Sequence, residues 1–238
     1  MYKRQDDNGG KAPTPEKWVK QIVFRAEWDE SWTTTITYDS ENRVKKIDGL
    51  RNDSYEFTYN GNSLTVKGSD RTYTCKLNSD GYVTEVTEND FDKDETYYYR
   101  MEYKNGYLQR VEQRYSYNES RIRVSECTWR DGNLVEYTAK DYNEDDTEIE
   151  TAKISYSKTA TPINIDLLYF SGYVPVDVYP LDLLGFCGRQ SAKLPNKADI
   201  IYSGESESES DDFGVYTLND DGTVARIDCG SVSYELIY

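Results

Sequence analysis

Two stretches decide the fold: MEYKNGYLQRV at residues 101–111 and CTWRDGNLVEY at residues 127–137. Each places aromatic or apolar residues before an Asn-Gly or Asp-Gly pair and aliphatic residues after it. Such pairs adopt positive φ at low cost, so they favour the tight turns that join antiparallel strands. The flanking residues alternate in polarity, which is the period of a strand with one buried face. Each stretch therefore predicts a β-hairpin.

Variants of this pattern recur about every twenty to twenty-six residues, the spacing of two strands and two turns. Further copies are ITYDSENRVKKID (36–48), FTYNGNSLTV (57–66), CKLNSDGYVTEVT (75–87) and YTLNDDGTVARID (216–228). Helical periodicity is absent except for a short apolar stretch near residues 181–186. The sequence therefore predicts an all-β fold, a single antiparallel meander of about 14 strands.

Residues 157–197 break the pattern. They contain Pro162, Pro175, Pro180 and Pro195, and an apolar run, LDLLGFCG. We interpret them as a crossing loop with one helical turn. The leucines of Leu183–Pro195 are expected to pack over one open end of the sheet as a plug.

Residues 1–17 are polar and predict a disordered tether, followed by one hairpin-repeat domain over residues 18–238. Residues 1–5 read MYKRQ, which the codons GTG TAT AAG AGA CAG of a sequencing adapter would encode. We therefore expect an adapter remnant at the start of a metagenomic sequence, with any export signal missing. Residues 204–212 are acidic and of low complexity, and predict a solvated hairpin tip.

The net charge is −16, from 28 Lys and Arg against 44 Asp and Glu. This charge repels the phosphates of nucleic acids, so no nucleic-acid partner is expected. It also disfavours docking on an anionic membrane surface.

The sequence contains no histidine, which excludes Ser-His-Asp and Cys-His catalysis. Glycoside hydrolysis needs two carboxylates, but no pair stands out in an apolar setting that would raise one pKa. Asn78–Gly81 and Asn219–Gly222 resemble calcium loops but lack the later ligands, so we interpret them as hairpin turns. We expect no enzymatic activity, no cofactor and no metal.

The four cysteines are Cys75, Cys127, Cys187 and Cys229. Their spacing does not fit a metal site. Buried free thiols are favoured, and disulfides remain the alternative for an exported protein.

Aromatic residues cluster in the central hairpins, residues 95–142. Most such rings form cross-strand pairs that stabilise a sheet. Tyr98 and Tyr142 alternate with inward rings, so we expect both to be more exposed than Tyr97 and Tyr99. They are the candidate ligand-binding residues, for a neutral glycan or a protein partner.

The hairpin repeat is similar to the tyrosine–aspartate repeats of large secreted bacterial proteins. The whole chain, over residues 18–238, more closely resembles an uncharacterised family of lipoproteins from gut Gram-negative anaerobes. That family combines such hairpins with a late Leu-Leu-Gly…Ser-x-x-Leu-Pro segment. Here the segment begins at Leu183-Leu184-Gly185 and ends at Ser191–Pro195, before the hairpin 216–227.

The resemblance implies a porin-like sheet, strongly curved or partly closed into a barrel-like shape. It also implies an exported protein of the cell envelope, periplasmic or outer-membrane-anchored, that meets the membrane through a lipid anchor. The lipidated cysteine and signal peptide of the family have no counterpart in this sequence. The family supplies no catalytic or ligand-binding residues. A true porin is not expected, because Arg110, Glu112 and Arg114 on an outer face cannot contact hydrocarbon.

The leading hypothesis is a non-catalytic envelope protein whose curved sheet serves for binding or scaffolding. The alternative is a barrel-like carrier of a small apolar ligand, which requires a hollow apolar interior. A carboxylate-dependent glycoside hydrolase is a third hypothesis, which requires two carboxylates facing each other in a cleft.

Overall fold

The structure, a computed structural model, describes residues 17–28, 30–50, 53–143, 147–160, 163–204 and 208–238. The tether predicted over residues 1–17 lies outside this part of the chain, apart from Lys17. The described residues form 17 strands in one sheet. No helix among them has the length and apolar character needed to span a membrane.

The first nine strands follow one another with short links. They are β1 (Gln21–Ala26), β2 (Ser31–Tyr38), β3 (Val44–Leu50), β4 (Asp53–Asn60), β5 (Ser63–Lys67), β6 (Arg71–Leu77), β7 (Val83–Asp90), β8 (Glu95–Lys104) and β9 (Tyr107–Tyr115). Three longer strands come next: β10 (Asn118–Arg130), β11 (Asn133–Tyr142) and β12 (Thr147–Ala160). A 3-10 helix covers Leu167–Ser171, and the chain ends with β13 (Lys193–Tyr202), β14 (Glu209–Asp212), β15 (Val215–Leu218), β16 (Val224–Cys229) and β17 (Val232–Ile237).

The sheet curls almost into a ring. Every pairing in it is antiparallel, and β1 pairs with both β2 and β17, so the first and last strands are neighbours. Among the described residues, β14 pairs with β13 and β15 with β16, but β14 and β15 do not pair with each other. The sheet is therefore strongly curved but not closed, which confirms the predicted antiparallel meander.

The turns of the central hairpins have the positive φ angles that the sequence predicts. In the β8–β9 turn, Asn105 has φ 55° and Gly106 has φ 79°. In the β10–β11 turn, Asp131 has φ 51° and Gly132 has φ 74°. Two consecutive residues of positive φ give the turn whose twist matches the flanking strands.

A β-bulge recurs in five of the repeated hairpins. The register shifts once near the end of the first strand of each, at residues 37/38, 76/77, 102/103, 128/129 and 217/218. Because of this shift, two aliphatic or aromatic residues that lie three positions apart on the second strand point to the same face of the sheet. The buried pairs are Val44 and Ile47, Val83 and Val86, Leu108 and Val111, Leu134 and Tyr137, and Val224 and Ile227. The three-residue spacing of the repeat is therefore the spacing of a bulged strand.

The structure differs from the sequence prediction in several details. The meander has 17 strands rather than about 14. One of the additional strands is β14, which lies inside the predicted acidic loop 204–212 and pairs with β13. The break in the pattern is also shorter than residues 157–197, because β12 extends to Ala160 and β13 already begins at Lys193. The ladder accommodates Pro195 there because the register shifts beside it, a position where a strand tolerates proline.

Residues 163–192, which we call the inner segment, lie on the concave side of the sheet. Ile165, Val178, Leu181 and Leu183 are fully buried in one core cluster with inward residues of β1 to β9. The predicted short-helix plug is therefore present. Its helix lies at Leu167–Ser171 instead of residues 181–186, where the chain forms turns, because Asp166 provides the helix N-cap and accepts a hydrogen bond from Leu168 N–H.

The end of the inner segment closes one end of the sheet. Phe186 accepts a hydrogen bond from Val83 N–H (2.9 Å), at the start of β7. Arg189 N–H donates to Gly106 (2.8 Å) and Ala192 N–H donates to Gly132 (2.9 Å), which are the turns of the next two hairpins. At the opposite end, where β7 ends and β8 begins, the Lys93 side chain is 61% exposed, and we call this the open end.

All four cysteines are free thiols in the structure. Cys75 on β6 is buried, and burial raises its pKa to about 12. Cys127, Cys187 and Cys229 are partly exposed.

Candidate functional site

A polar cavity of about 550 Å³ lies on the concave side, between the inner segment and the inward faces of β6 to β12. Its position follows from the alternation of inward and outward side chains along each strand. In β7, Val86 belongs to the apolar core, and the next two inward positions are Glu88 and Asp90. The inward face therefore changes from apolar to polar toward the open end of the sheet.

The first polar cluster is centred on Arg71 of β6. Its guanidinium lies 3.1 Å from Glu88, 2.7 Å from Asp70 and 3.7 Å from Asp90. Glu88 also accepts a hydrogen bond from the hydroxyl of Tyr99 (3.0 Å). Burial raises the pKa of Glu88, although the Tyr99 hydrogen bond and the Arg71 charge act in the opposite direction.

Gln113 extends this cluster across β9. Its amide donates to the hydroxyl of Tyr99 (3.2 Å), directly across the β8–β9 pairing. Lys93, in the turn between β7 and β8, lies 3.8 Å from Asp90. The cluster therefore runs from the interior to the open end of the cavity.

The second polar cluster lies on β10 to β12. Glu150 accepts a hydrogen bond from the hydroxyl of Tyr137 (2.8 Å) and forms an ion pair with Arg123 (3.3 Å). Arg123 and Glu150 also line a neighbouring cavity of about 310 Å³. This ion pair therefore lies between the two cavities.

Tyrosine rings form part of the remaining wall. Tyr97 and Tyr115, on adjacent strands, meet edge to face with ring centroids 5.8 Å apart. On the inner segment, Tyr169 and Tyr179 stack with centroids 5.8 Å apart. The cavity thus combines tyrosine rings with many charged and hydrogen-bonding groups, a more polar lining than most small-molecule sites have.

Asp182 lies at the inner end of the cavity. The residue is 4% exposed, and one carboxyl oxygen, Oδ1, accepts a hydrogen bond from Leu183 N–H (2.8 Å). The other oxygen, Oδ2, has no hydrogen-bond partner among the described residues. Burial raises the pKa of Asp182 to about 8. Asp182 is therefore a largely protonated carboxyl group at neutral pH.

The residues predicted from the sequence, Tyr98 and Tyr142, lie on the outer face, away from this cavity. Tyr98 is 48% exposed and Tyr142 is 39% exposed, whereas Tyr99 is 5% exposed. Tyr97 is half-buried and lines the cavity. The two outer tyrosines share one transverse row of the sheet, which runs from Tyr98 through Arg114 and Ile122 to Tyr142. They are therefore not adjacent, being separated by two strands.

The same outer face carries charged side chains. Arg110 and Arg114 flank Glu112 at 2.9 Å and 2.8 Å. Arg110 also lies 3.8 Å from Glu102 on β8. These ion pairs give this part of the sheet a hydrophilic exterior.

The cavity was not predicted from the sequence, because charged residues at inward positions of the strands were not considered. The sequence feature that indicates the cavity is the occurrence of polar residues at positions where the alternation along a strand places side chains inward. Glu88 and Asp90 continue the inward parity of Val86, as Gln113 and Tyr115 continue that of Val111. A polar residue in an inward phase indicates either a partner or a cavity.

The predicted turns at Asn78–Gly81 and Asn219–Gly222 are hairpin turns, in which Asn78 accepts hydrogen bonds from Asp80 and Tyr82 N–H (both 3.0 Å). Within the part of the chain that the structure describes, no group of three or more Cys, Asp or Glu residues is placed to hold a metal ion.

No protein-family model matches the chain, and no curated protein sequence matches it. Its structure is similar to the crystal structure of a porin-like protein from Bacteroides uniformis ATCC 8492, with a TM-score of 0.68 and 15% sequence identity. The match covers 96% of this chain and 99% of that chain. The fold is porin-like. At this identity the likeness establishes the architecture, and the ligand must be inferred from the residues of the cavity.

Proposed function

We propose that this chain is a non-catalytic, exported protein of the cell envelope that binds a small polar ligand in the cavity on its concave side. The observation that carries this proposal is the cavity itself, about 550 Å³ of space among tyrosines and buried polar groups. This volume lies within the range of about 300–1,000 Å³ typical of ligand sites.

Three features support the envelope location. The porin-like neighbour comes from a Gram-negative bacterium. The sequence resembles lipoproteins of such bacteria, so the proposed attachment is a lipid anchor. The charged exterior around Glu112 favours a sheet that faces water rather than lipid.

The alternative of an apolar-ligand carrier fits the interior less well. The inner segment fills the apolar half of the concave side, with Leu181 and Leu183 fully buried. The remaining space is bordered by charged groups such as Arg71 and Glu88. An apolar ligand there would remove these groups from water without replacing their hydrogen bonds.

The proposal that the protein is not an enzyme is supported by the pairing of the carboxylates. Glu88, Asp90 and Glu150 each lie within 4 Å of an arginine or lysine nitrogen. A carboxylate held by a cation is poorly placed to act as a general acid, which requires a proton at neutral pH. This leaves Asp182, whose pKa is raised by burial, as the candidate acid that a hydrolase would need.

A second candidate site is the outer row of Tyr98 and Tyr142. The exposure of both rings on a single row favours it. It would suit an extended glycan or a protein surface, because the rings are separated by two intervening strands.

The test is a thermal-shift screen with four ligand classes: neutral saccharides, amino acids, polyamines and dicarboxylates. Ser125→Phe places a ring in the cavity from its inward position on β10, and Thr128→Phe, on the outward face of the same strand, is the matched control. At least one class should raise the melting temperature of the wild type and of Thr128→Phe but not of Ser125→Phe.

The proposal fails if no class shifts the melting temperature, or if Ser125→Phe responds like the wild type. Gln113→Leu serves as a second cavity variant if Ser125→Phe does not fold. A response lost only in the Tyr98→Ala, Tyr142→Ala double variant would move the site to the outer face.

A further inference from the structure

The cationic side chains that line the cavity already form ion pairs with carboxylates. Arg71 lies 3.1 Å from Glu88 and 2.7 Å from Asp70, and Arg123 lies 3.3 Å from Glu150. Lys93 lies near Asp90 at 3.8 Å. An anionic ligand would have to displace one of these carboxylates while entering a protein of net charge −16. Both effects disfavour anions.

A cationic ligand is also disfavoured, because it would need carboxylates that already have cationic partners. Three of the five acidic side chains that line the cavity, Glu88, Asp90 and Glu150, lie within 4 Å of an arginine or lysine nitrogen, so an amine would compete there with a cation that is already in place. Asp177, a fourth, is exposed, so water and salt screen its charge. Asp182, which has no such partner, is largely protonated at neutral pH because burial raises its pKa to about 8. Asp182 therefore offers a hydrogen bond and little charge.

The groups that remain available suit hydroxyl groups. A carboxylate oxygen can accept more than one hydrogen bond, so the paired carboxylates keep free acceptor capacity. Asp182 Oδ2 has no partner among the described residues, and a protonated carboxyl group both donates and accepts. Hydroxyl groups also donate and accept, so they match both kinds of group.

The aromatic walls suit a flat ligand with an apolar face. Tyr97 and Tyr115 line the wall formed by the strands, and Tyr169 and Tyr179 line the wall formed by the inner segment. A pyranose ring presents carbon-bound hydrogens on its face and hydroxyl groups at its edge. It can therefore pack against a tyrosine ring while its edge contacts the polar groups.

Resting on the proposed function, we infer that the ligand of the cavity is a neutral saccharide of one or two sugar units, with Asp182 contacting a hydroxyl group at the inner end. Tyr97 and Tyr169, the more exposed ring of each pair, hold the sugar faces, and the carboxylates of β7 and β12 accept hydrogen bonds from its edge. Asp182 is the specificity-determining residue of the inner end.

The test is isothermal titration calorimetry with glucose, N-acetylglucosamine, maltose and cellobiose, compared with glucuronate and spermidine. At least one neutral saccharide should bind, and glucuronate and spermidine should bind at least about tenfold more weakly. Asp182→Leu should weaken the binding by about tenfold or more, and Asp182→Asn, which keeps a donor and an acceptor, should weaken it less. Asp80→Leu, at an exposed turn, is the matched control and should bind like the wild type.

The outcomes separate the two proposals. Binding of spermidine or glucuronate in place of the neutral saccharides, abolished by Ser125→Phe, would overturn the saccharide assignment while supporting the cavity as the site. Saccharide binding that Asp182→Leu leaves unchanged would overturn the role of Asp182. The absence of binding by every probe in this set and in the thermal-shift screen would overturn both proposals.

Discussion

Phe24 on β1 and Tyr234 on β17 lie directly opposite each other in the sheet, with ring centroids 5.5 Å apart. The first and last strands of the sheet are therefore joined by a full antiparallel ladder. The break in the ladder falls elsewhere, between β14 and β15, where the chain itself provides the connection. The β1–β17 contact therefore brings the first and last strands of the chain together.

We expect Leu236→Ala to destabilise the protein, because Leu236 is buried opposite Ile22 in this ladder. Removing a buried leucine side chain typically costs about 2–5 kcal/mol. Urea denaturation followed by circular dichroism would measure the loss. Ile237→Ala, at the exposed neighbouring position, should have little effect, and equal losses in the two variants would contradict the pairing.

Leu184→Asp should lower the melting temperature by several degrees, because it places a charge among buried side chains of the inner segment. Ala192→Asp is the control, at an exposed position of the same segment. Differential scanning calorimetry would compare the two. Unchanged melting of Leu184→Asp would mean that the inner segment is a free loop.

Asp182 predicts a specific pH dependence of stability. Burial raises its pKa from 3.8 to about 8, so the folded protein holds a proton that the unfolded chain has lost. The contribution of Asp182 to the free energy of unfolding should therefore fall as the pH rises from about 4 to about 8, and then level off. Asp166, whose pKa burial raises to about 6, acts in the same direction over a narrower range.

The comparison of wild type with Asp182→Asn isolates this contribution. The variant should gain stability relative to the wild type as the pH rises through this range, measured as the difference in unfolding free energy. Asp80→Asn, at an exposed turn, should follow the wild type. A difference between wild type and Asp182→Asn that does not vary with pH would show that Asp182 is ionised in the folded protein throughout.

We expect no hydrolysis of 4-nitrophenyl glycosides, because three of the five carboxyl groups that line the cavity, Glu88, Asp90 and Glu150, are held by cations. The measurement is release of 4-nitrophenol over several hours at neutral pH. Turnover that disappears in Glu88→Gln but persists in Glu102→Gln, on the outer face, would contradict the non-catalytic assignment.

The hairpins were predictable because their signals are local. Asn105-Gly106 and Asp131-Gly132 set the turns through their own backbone preferences, and the flanking residues alternate in polarity. The position of β14 was not predictable, since Glu209–Asp212 is wholly exposed and forms a strand only by pairing with β13. Its formation depends on a tertiary contact, which local sequence does not encode.

The cavity was harder to predict for a related reason. Glu88 and Arg71 look like solvated charges when each is considered alone, and they become a partly buried pair only when β6 and β7 are aligned. The burial of Asp182 likewise depends on residues distant in sequence. The prediction that Tyr98 is more exposed than Tyr99 needed only the alternation within β8, and the structure agrees with it.

The most direct test of the central claim is a crystal structure of the protein soaked with the saccharide that binds most tightly. We expect ligand density in the concave cavity, between the ring of Tyr97 and the carboxyl group of Asp182. Density on the outer face beside Tyr98, with the cavity holding only solvent, would contradict the account.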